Sequence, residues 1–126
     1  MDWHIWIISG LAVAGLLVLK RLMLIQPQAA LTWLEKGAKV IDVRSEREFR
    51  ERHLPGAINV PLDQLGSEIA RLAPDKAQPL LLHCLSGGRS GIGKNILRRM
   101  GYMHAFNLGS YGRAERILQR QPEVGR

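Results

Sequence analysis

Cysteine is nearly absent from this chain: Cys84 is the only one in 126 residues. That excludes a disulfide framework and a cysteine-rich zinc site. The four histidines, His4, His53, His83 and His104, are scattered, with no paired spacing of the kind that holds a metal. Aromatic residues make up 6% of the chain and do not interleave with the basic ones. The surplus of 18 Lys and Arg over 11 Asp and Glu therefore does not read as a nucleic-acid surface. No repeat and no low-complexity tract occurs, and the length allows one domain.

Charge is missing from one stretch altogether. Trp3 to Leu19 is 17 residues without a formal charge, followed by Lys20-Arg21 and then Leu22-Met23-Leu24-Ile25. A membrane-crossing helix needs about 20 mostly apolar residues, and snorkelling lysine or arginine extends a span that falls short. Trp3 and Trp6 lie where an interfacial aromatic belt belongs, and His4 beside them is expected to face headgroups. A cleaved signal peptide is the alternative, and Ala12-Val13-Ala14 has the small residues for it. They lie inside the apolar run, however, and the N-terminal region carries Asp2 in place of a positive charge. The anchor reading is preferred. Every Lys and Arg lies at Lys20 or later, so the positive-inside rule predicts a single-pass protein with its domain facing the cytoplasm. The net charge of +7 then serves to hold a short-tethered domain near anionic lipid.

Beyond the anchor, helical and extended patterns alternate. Pro27 suits a first helical turn, Ala29 to Leu34 is helix-prone, and Gly37 is a natural C-terminal cap. Lys39 to Val43 reads as a strand. Ser45 with Glu48 three residues on is a capping box opening a short helix to about Arg52. After the turn His53-Leu54-Pro55-Gly56 comes a strand at Ala57 to Val60. Leu62, Leu65, Ile69 and Leu72 recur at helical spacing up to Pro74. Leu80 to His83 is a third strand, and Ser90 is expected to cap the next helix, which ends at Gly101. His104 to Leu108 is a fourth strand, and Tyr111 to about Arg120 a final helix. Such alternation means βαβ units and a parallel sheet covered on both faces. Ligands bind such sheets at the carboxyl ends of the strands, where Cys84 falls.

The segment His83-Cys84-Leu85-Ser86-Gly87-Gly88-Arg89-Ser90 carries the chemistry. A strand ending in a thiol, then a glycine turn, then a helix start is a device for a reactive sulfur. Amides of the turn and the helix N-terminus stabilise the thiolate. Gly87 and Gly88 open backbone angles closed to other residues, and Arg89 brings a planar cation suited to an oxyanion. The alternative is an inert buried cysteine beside an ordinary turn. Arg89 and the strand–turn–helix context favour catalysis. His83 precedes Cys84 in a strand, so its side chain points to the opposite face and makes a poor base for that thiol. His53 belongs to a turn.

The chain resembles the rhodanese family over about residues 25 to 120. The likeness rests on Ile41-Asp42-Val43-Arg44 through Glu48-Phe49, on His53-Leu54-Pro55-Gly56-Ala57-Ile58-Asn59, and on His83-Cys84 through Arg89-Ser90, with Asn107-Leu108-Gly109 near the end. The resemblance implies a single α/β domain with a parallel sheet of about five strands flanked by helices. The first strand would be a short one near Leu24-Ile25, and one transmembrane helix would precede the domain. The expected division is 1–25 anchor, 26–120 rhodanese-like domain and 121–126 tail. It implies a sulfurtransferase in which Cys84 takes sulfane sulfur from thiosulfate or a persulfide donor and passes it to cyanide or a thiol. Leu85, Ser86, Gly87, Gly88 and Ser90 would help form the substrate cradle, Arg89 would hold the departing sulfite-like group, and Asp42 and Arg44 would brace the loop or merely hold the fold. No cofactor and no metal is implied.

Two other readings compete. A phosphatase or arsenate reductase of the related fold spaces its cysteine and arginine by five residues, whereas four separate Cys84 from Arg89. A non-catalytic binding module of the same fold commonly loses the cysteine, which this chain keeps.

Overall fold

The computed structural model describes residues 2–122. The chain begins with helix α1 (Trp3–Leu22) and α2 (Pro27–Glu35), and then alternates: β1 (Lys39–Asp42), α3 (Glu46–Glu51), β2 (Ile58–Asn59), α4 (Leu62–Leu72), β3 (Leu80–His83), α5 (Gly88–Arg99), β4 (Ala105–Gly109) and α6 (Tyr111–Gln119). The four strands pair only in parallel, in the order β2-β1-β3-β4. In register, Ile41 lies between Ile58 and Leu82, and Leu82 pairs with Asn107.

The sheet divides the apolar residues into two cores by simple alternation. Ile41, Leu80, Leu82 and Cys84 face one side, against Leu65 and Ile69 of α4 and Leu97 of α5. Val40 and Leu81 face the other, against Ala30 of α2 and Ala114 and Ile117 of α6. All four residues of β3 are buried, as a central parallel strand requires. Gly93 sets how closely α5 approaches: a Cβ there would lie 2.8 Å from Leu82 Cδ2 and 3.1 Å from Leu65 Cδ2. A glycine inside a helix costs roughly 0.5–1 kcal/mol, which this close packing offsets. Tyr102 closes the same core and donates its hydroxyl to Ala73 O at 2.6 Å.

Helix starts follow local chemistry. Pro27 occupies the first turn of α2, and Ser110 caps α6 by accepting from Arg113 N. Both halves of the Ser45–Glu48 capping box are formed at α3. At α5 the expectation differs from the structure. The cap is Gly87, with φ of 96°, and Ser90 lies inside the first turn with its hydroxyl on other duties. The expected fifth strand is also reduced. Near Leu24-Ile25 the chain makes one ladder-like bond, Ile25 N to Asn107 O at 3.0 Å, too little to form a strand. Of the expected tail, 123–126 lies outside the described residues.

Helix α1 buries nothing. Its apolar side chains stand in the open, with Trp6 at 78% and Leu11 at 69% exposure. At 1.5 Å per residue, twenty residues span about 30 Å, the depth of a bilayer core. Among the described residues it is the one helix long and apolar enough to cross a membrane.

Candidate active site

Cys84 follows Leu80 and Leu82 on the α5 side of the sheet and is completely buried. Its amide donates to Gly109 O, which ties the strand end to β4. The chain then turns sharply so that Gly87 N points back at the sulfur, 3.0 Å from Sγ. This turn depends on glycine twice over. Gly87 has a left-handed φ, and a Cβ on it would sit 3.3 Å from the Gly109 backbone.

Two side chains lock the turn. Asn107 Nδ2 donates to Gly87 O at 3.1 Å, while its Oδ1 accepts from Gly109 N at 2.8 Å. Ser90 Oγ lies 2.7 Å from the same Oδ1, 3.2 Å from Gly87 O and 3.4 Å from Cys84 Sγ. A hydroxyl has one proton, so these contacts compete. With a neutral thiol the shortest, to Asn107, takes it; a negative sulfur draws it back. Burial pushes the Cys84 thiol up, but the Ser90 hydroxyl and the amides of Ser90, Gly87 and Ser86 outweigh that and leave its pKa below the ordinary thiol value.

The remaining loop residues divide between exposure and support. Leu85 is exposed and its carbonyl accepts from Tyr111 N, and Ser86 bridges to Ser110. Gly88 opens α5. Arg89, in its first turn, is partly exposed and held end-on by Glu48, with Nη1–Oε1 at 2.6 Å and Nη2–Oε2 at 3.0 Å. A groove of about 670 Å³ reaches Arg89 between the N-terminal ends of α3 and α4. The Arg89 bond and the Ser45 cap hold the Glu48 carboxyl down at about 2.

Asp42 and Arg44 do not touch the cysteine loop directly. Arg44 Nε and Nη2 clasp the buried Asp42 carboxylate, with the closest bond at 2.8 Å, and Nη2 also donates to Arg52 O. The pair thus holds the far end of α3, the helix that carries Glu48. Removing either partner would strand a buried charge. The Tyr111 ring lies against Arg44 and Arg52, with guanidinium carbons 4.8 and 4.7 Å from its centre.

His83 projects to the Tyr111 side of the sheet, away from the sulfur. Burial lowers its pKa against the pull of Asp42, which favours the neutral ring, and its Nε2 has no hydrogen-bond partner among the described residues. Sequence reasoning missed Glu48 as the partner of Arg89 because its capping-box role already explained it. It also missed Asn107, which sits in a strand pattern that gives no sign of a polar clasp. No group of three or more metal-ligating side chains occurs among the described residues.

Glu48 gives a direct check on this geometry. Its carboxyl should titrate at about 2, followed by ¹³C NMR, so the bond to Arg89 adds stability above the ordinary carboxyl pKa that is lost as pH falls toward 2. In Arg89→Ala the titration should move up toward the ordinary value but stay below it, since Ser45 remains. An unchanged Glu48 would mean that the ion pair does not form.

A family model described as Rhodanese-like domain matches residues 26–111. The chain is 42% identical over 69 residues to the thiosulfate sulfurtransferase PspE of Escherichia coli (strain K12), covering 55% of this chain and 66% of that protein. It is 35% identical to the thiosulfate:glutathione sulfurtransferase of Saccharomyces cerevisiae, covering 50% of this chain and 53% of that protein. The chain thus spans between half and two thirds of these relatives. A solved rhodanese with anions from E. coli superposes with a TM-score of 0.59 at 38% identity, over 61% of this chain and 91% of that one. The chain belongs to the rhodanese-like domain family.

Proposed function

We propose that this protein is a sulfurtransferase that carries sulfane sulfur on Cys84. The observation that carries the reading is the buried thiol with Gly87 N 3.0 Å from its sulfur and a lowered pKa. A thiolate stabilised by amides, not by a neighbouring base, suits a nucleophile that attacks sulfur. Relatives named thiosulfate sulfurtransferase support the donor. The Cys84 thiolate attacks the outer sulfur of thiosulfate and forms the S–S bond of a persulfide. The bond from that sulfur to the sulfonate sulfur breaks, and its electron pair leaves with sulfite. Cyanide or a thiolate then takes the outer sulfur and returns the Cys84 thiolate.

Arg89 supplies the positive charge that receives the anionic donor. Its bond to Glu48 keeps the guanidinium extended at the groove and leaves it partly exposed. Cys84 has no exposed surface at rest, so a donor reaches the sulfur only when the loop parts. The gap of four residues between Cys84 and Arg89 makes a cradle sized for one sulfur, which disfavours the phosphatase reading. We place α1 across a membrane with the domain on the cytoplasmic side, supported by its bare apolar surface and by Lys20 and Arg21 in its last turn.

Cys84→Ser should bring thiosulfate:cyanide sulfur transfer down to background while the thermal melt is retained, because serine is nearly isosteric but not ionised at neutral pH; substantial remaining turnover would remove Cys84 from the chemistry. Arg89→Ala should lower kcat/KM for thiosulfate by about 10- to 150-fold, the value of one charge-assisted hydrogen bond. It should affect an uncharged sulfur donor much less, and equal losses for both would make Arg89 purely structural. For the topology, alkaline phosphatase fused after Arg126 should be inactive and green fluorescent protein bright. The reverse pattern, or a mature N-terminus after Ala14, would indicate export.

A further inference from the structure

A second concavity, of about 600 Å³, lies behind the cysteine loop and is distinct from the Arg89 groove. One wall is the last turn of α1 and the residues after it, Lys20, Met23 and Leu24. The other is one face of α5, where Gly88, Gly91, Ile92 and Asn95 recur at helical spacing; Ser110 and Arg113 lie at its floor. Among the described residues no carboxylate lines it. Lys20 enters none of the ion pairs formed among the described residues. Ile92 and Met23 stand at its rim 55% and 47% exposed.

The segment leaving α1 is tied to β4 and α6. Ile25 N donates to Asn107 O at 3.0 Å, and Arg113 donates to both Leu108 O and Ile25 O. The groove therefore holds a fixed place at the end of the apolar helix. If α1 crosses the bilayer, Lys20 and this groove lie at headgroup depth.

We propose that the groove is a phospholipid site, with the lipid phosphate at Lys20 and Asn95 and the start of an acyl chain along Met23 and Ile92. A cation with uncommitted donors and no carboxylate selects an anion, and an apolar rim adds nothing to the binding of a free phosphate ion but does add to that of a lipid. Asn107 links this site to the chemistry, since its backbone carbonyl accepts from Ile25 N and its side-chain Nδ2 donates to Gly87 O.

This inference rests on the membrane reading of α1, and the experiment separates the two. Full-length protein is reconstituted into vesicles of phosphatidylcholine alone or with phosphatidylglycerol, floated, then released in neutral detergent for native mass spectrometry. The wild type should float with both and retain one phosphatidylglycerol per chain. Lys20→Gln, and separately Asn95→Asp, which lies outside α1 and brings a carboxylate into the groove, should each float as well but retain that lipid about tenfold less. Failure to float would overturn the membrane reading and the site with it. Flotation without retained lipid, equal retention in both variants, or complete displacement by an equal concentration of inorganic phosphate would overturn the lipid site alone.

Discussion

The site is organised around one close approach, that of the Gly87 amide to the buried sulfur of Cys84. For the amide to point inward, the chain must reverse within three residues in a left-handed conformation at Gly87, where a Cβ would sit 3.3 Å from the Gly109 backbone, so the turn favours glycine. Asn107 holds that reversal from the neighbouring strand by gripping Gly87 O and Gly109 N together. The parallel pairing of β3 with β4 brings Asn107 there, so the sheet register and the thiol's acidity are linked. Shifting β4 by one residue would turn Asn107 to the other face and release the loop.

Charge around the sulfur is layered. Glu48 holds Arg89 at the mouth, and Arg44 with Asp42 holds the end of the helix that bears Glu48. The outer pair is partly exposed and can exchange partners with an incoming anion; the inner pair is buried and cannot. In the proposed reaction this puts an exchangeable electrostatic contact where the anionic donor would arrive and a buried one at the end of α3. The sulfur receives its stabilisation mainly from backbone amides and from Ser90, which do not titrate.

Much of this was legible in the residues. Apolar patterning located β1, β3, β4 and helices such as α4, whose apolar face is long enough to show a helical period, while the uncharged run marked α1 and the Ser45–Glu48 capping box marked α3. Strand order and register were not legible, since Ile41, Leu82 and Phe106 are equally suited to any pairing. Two local expectations differ from the structure. Ser90 has the composition of a helix cap, yet Asn107 recruits its hydroxyl and Gly87 takes the cap position. The family resemblance implied a short strand near Leu24-Ile25, but there the chain makes only one bond to β4 before α2 begins at Pro27. Cys84 and Arg89 could be named from their spacing, whereas Glu48, 41 residues from Arg89, becomes a site neighbour only through the fold.

The central claim is that sulfur rests on Cys84 between two half-reactions, one with an anionic donor and one with a nucleophilic acceptor. Intact-mass spectrometry of the protein after treatment with thiosulfate, followed by peptide mapping, tests it most directly. The account predicts a mass gain of one sulfur atom on the peptide bearing Cys84, lost again on addition of cyanide. No gain, or a gain that cyanide does not remove, would contradict it.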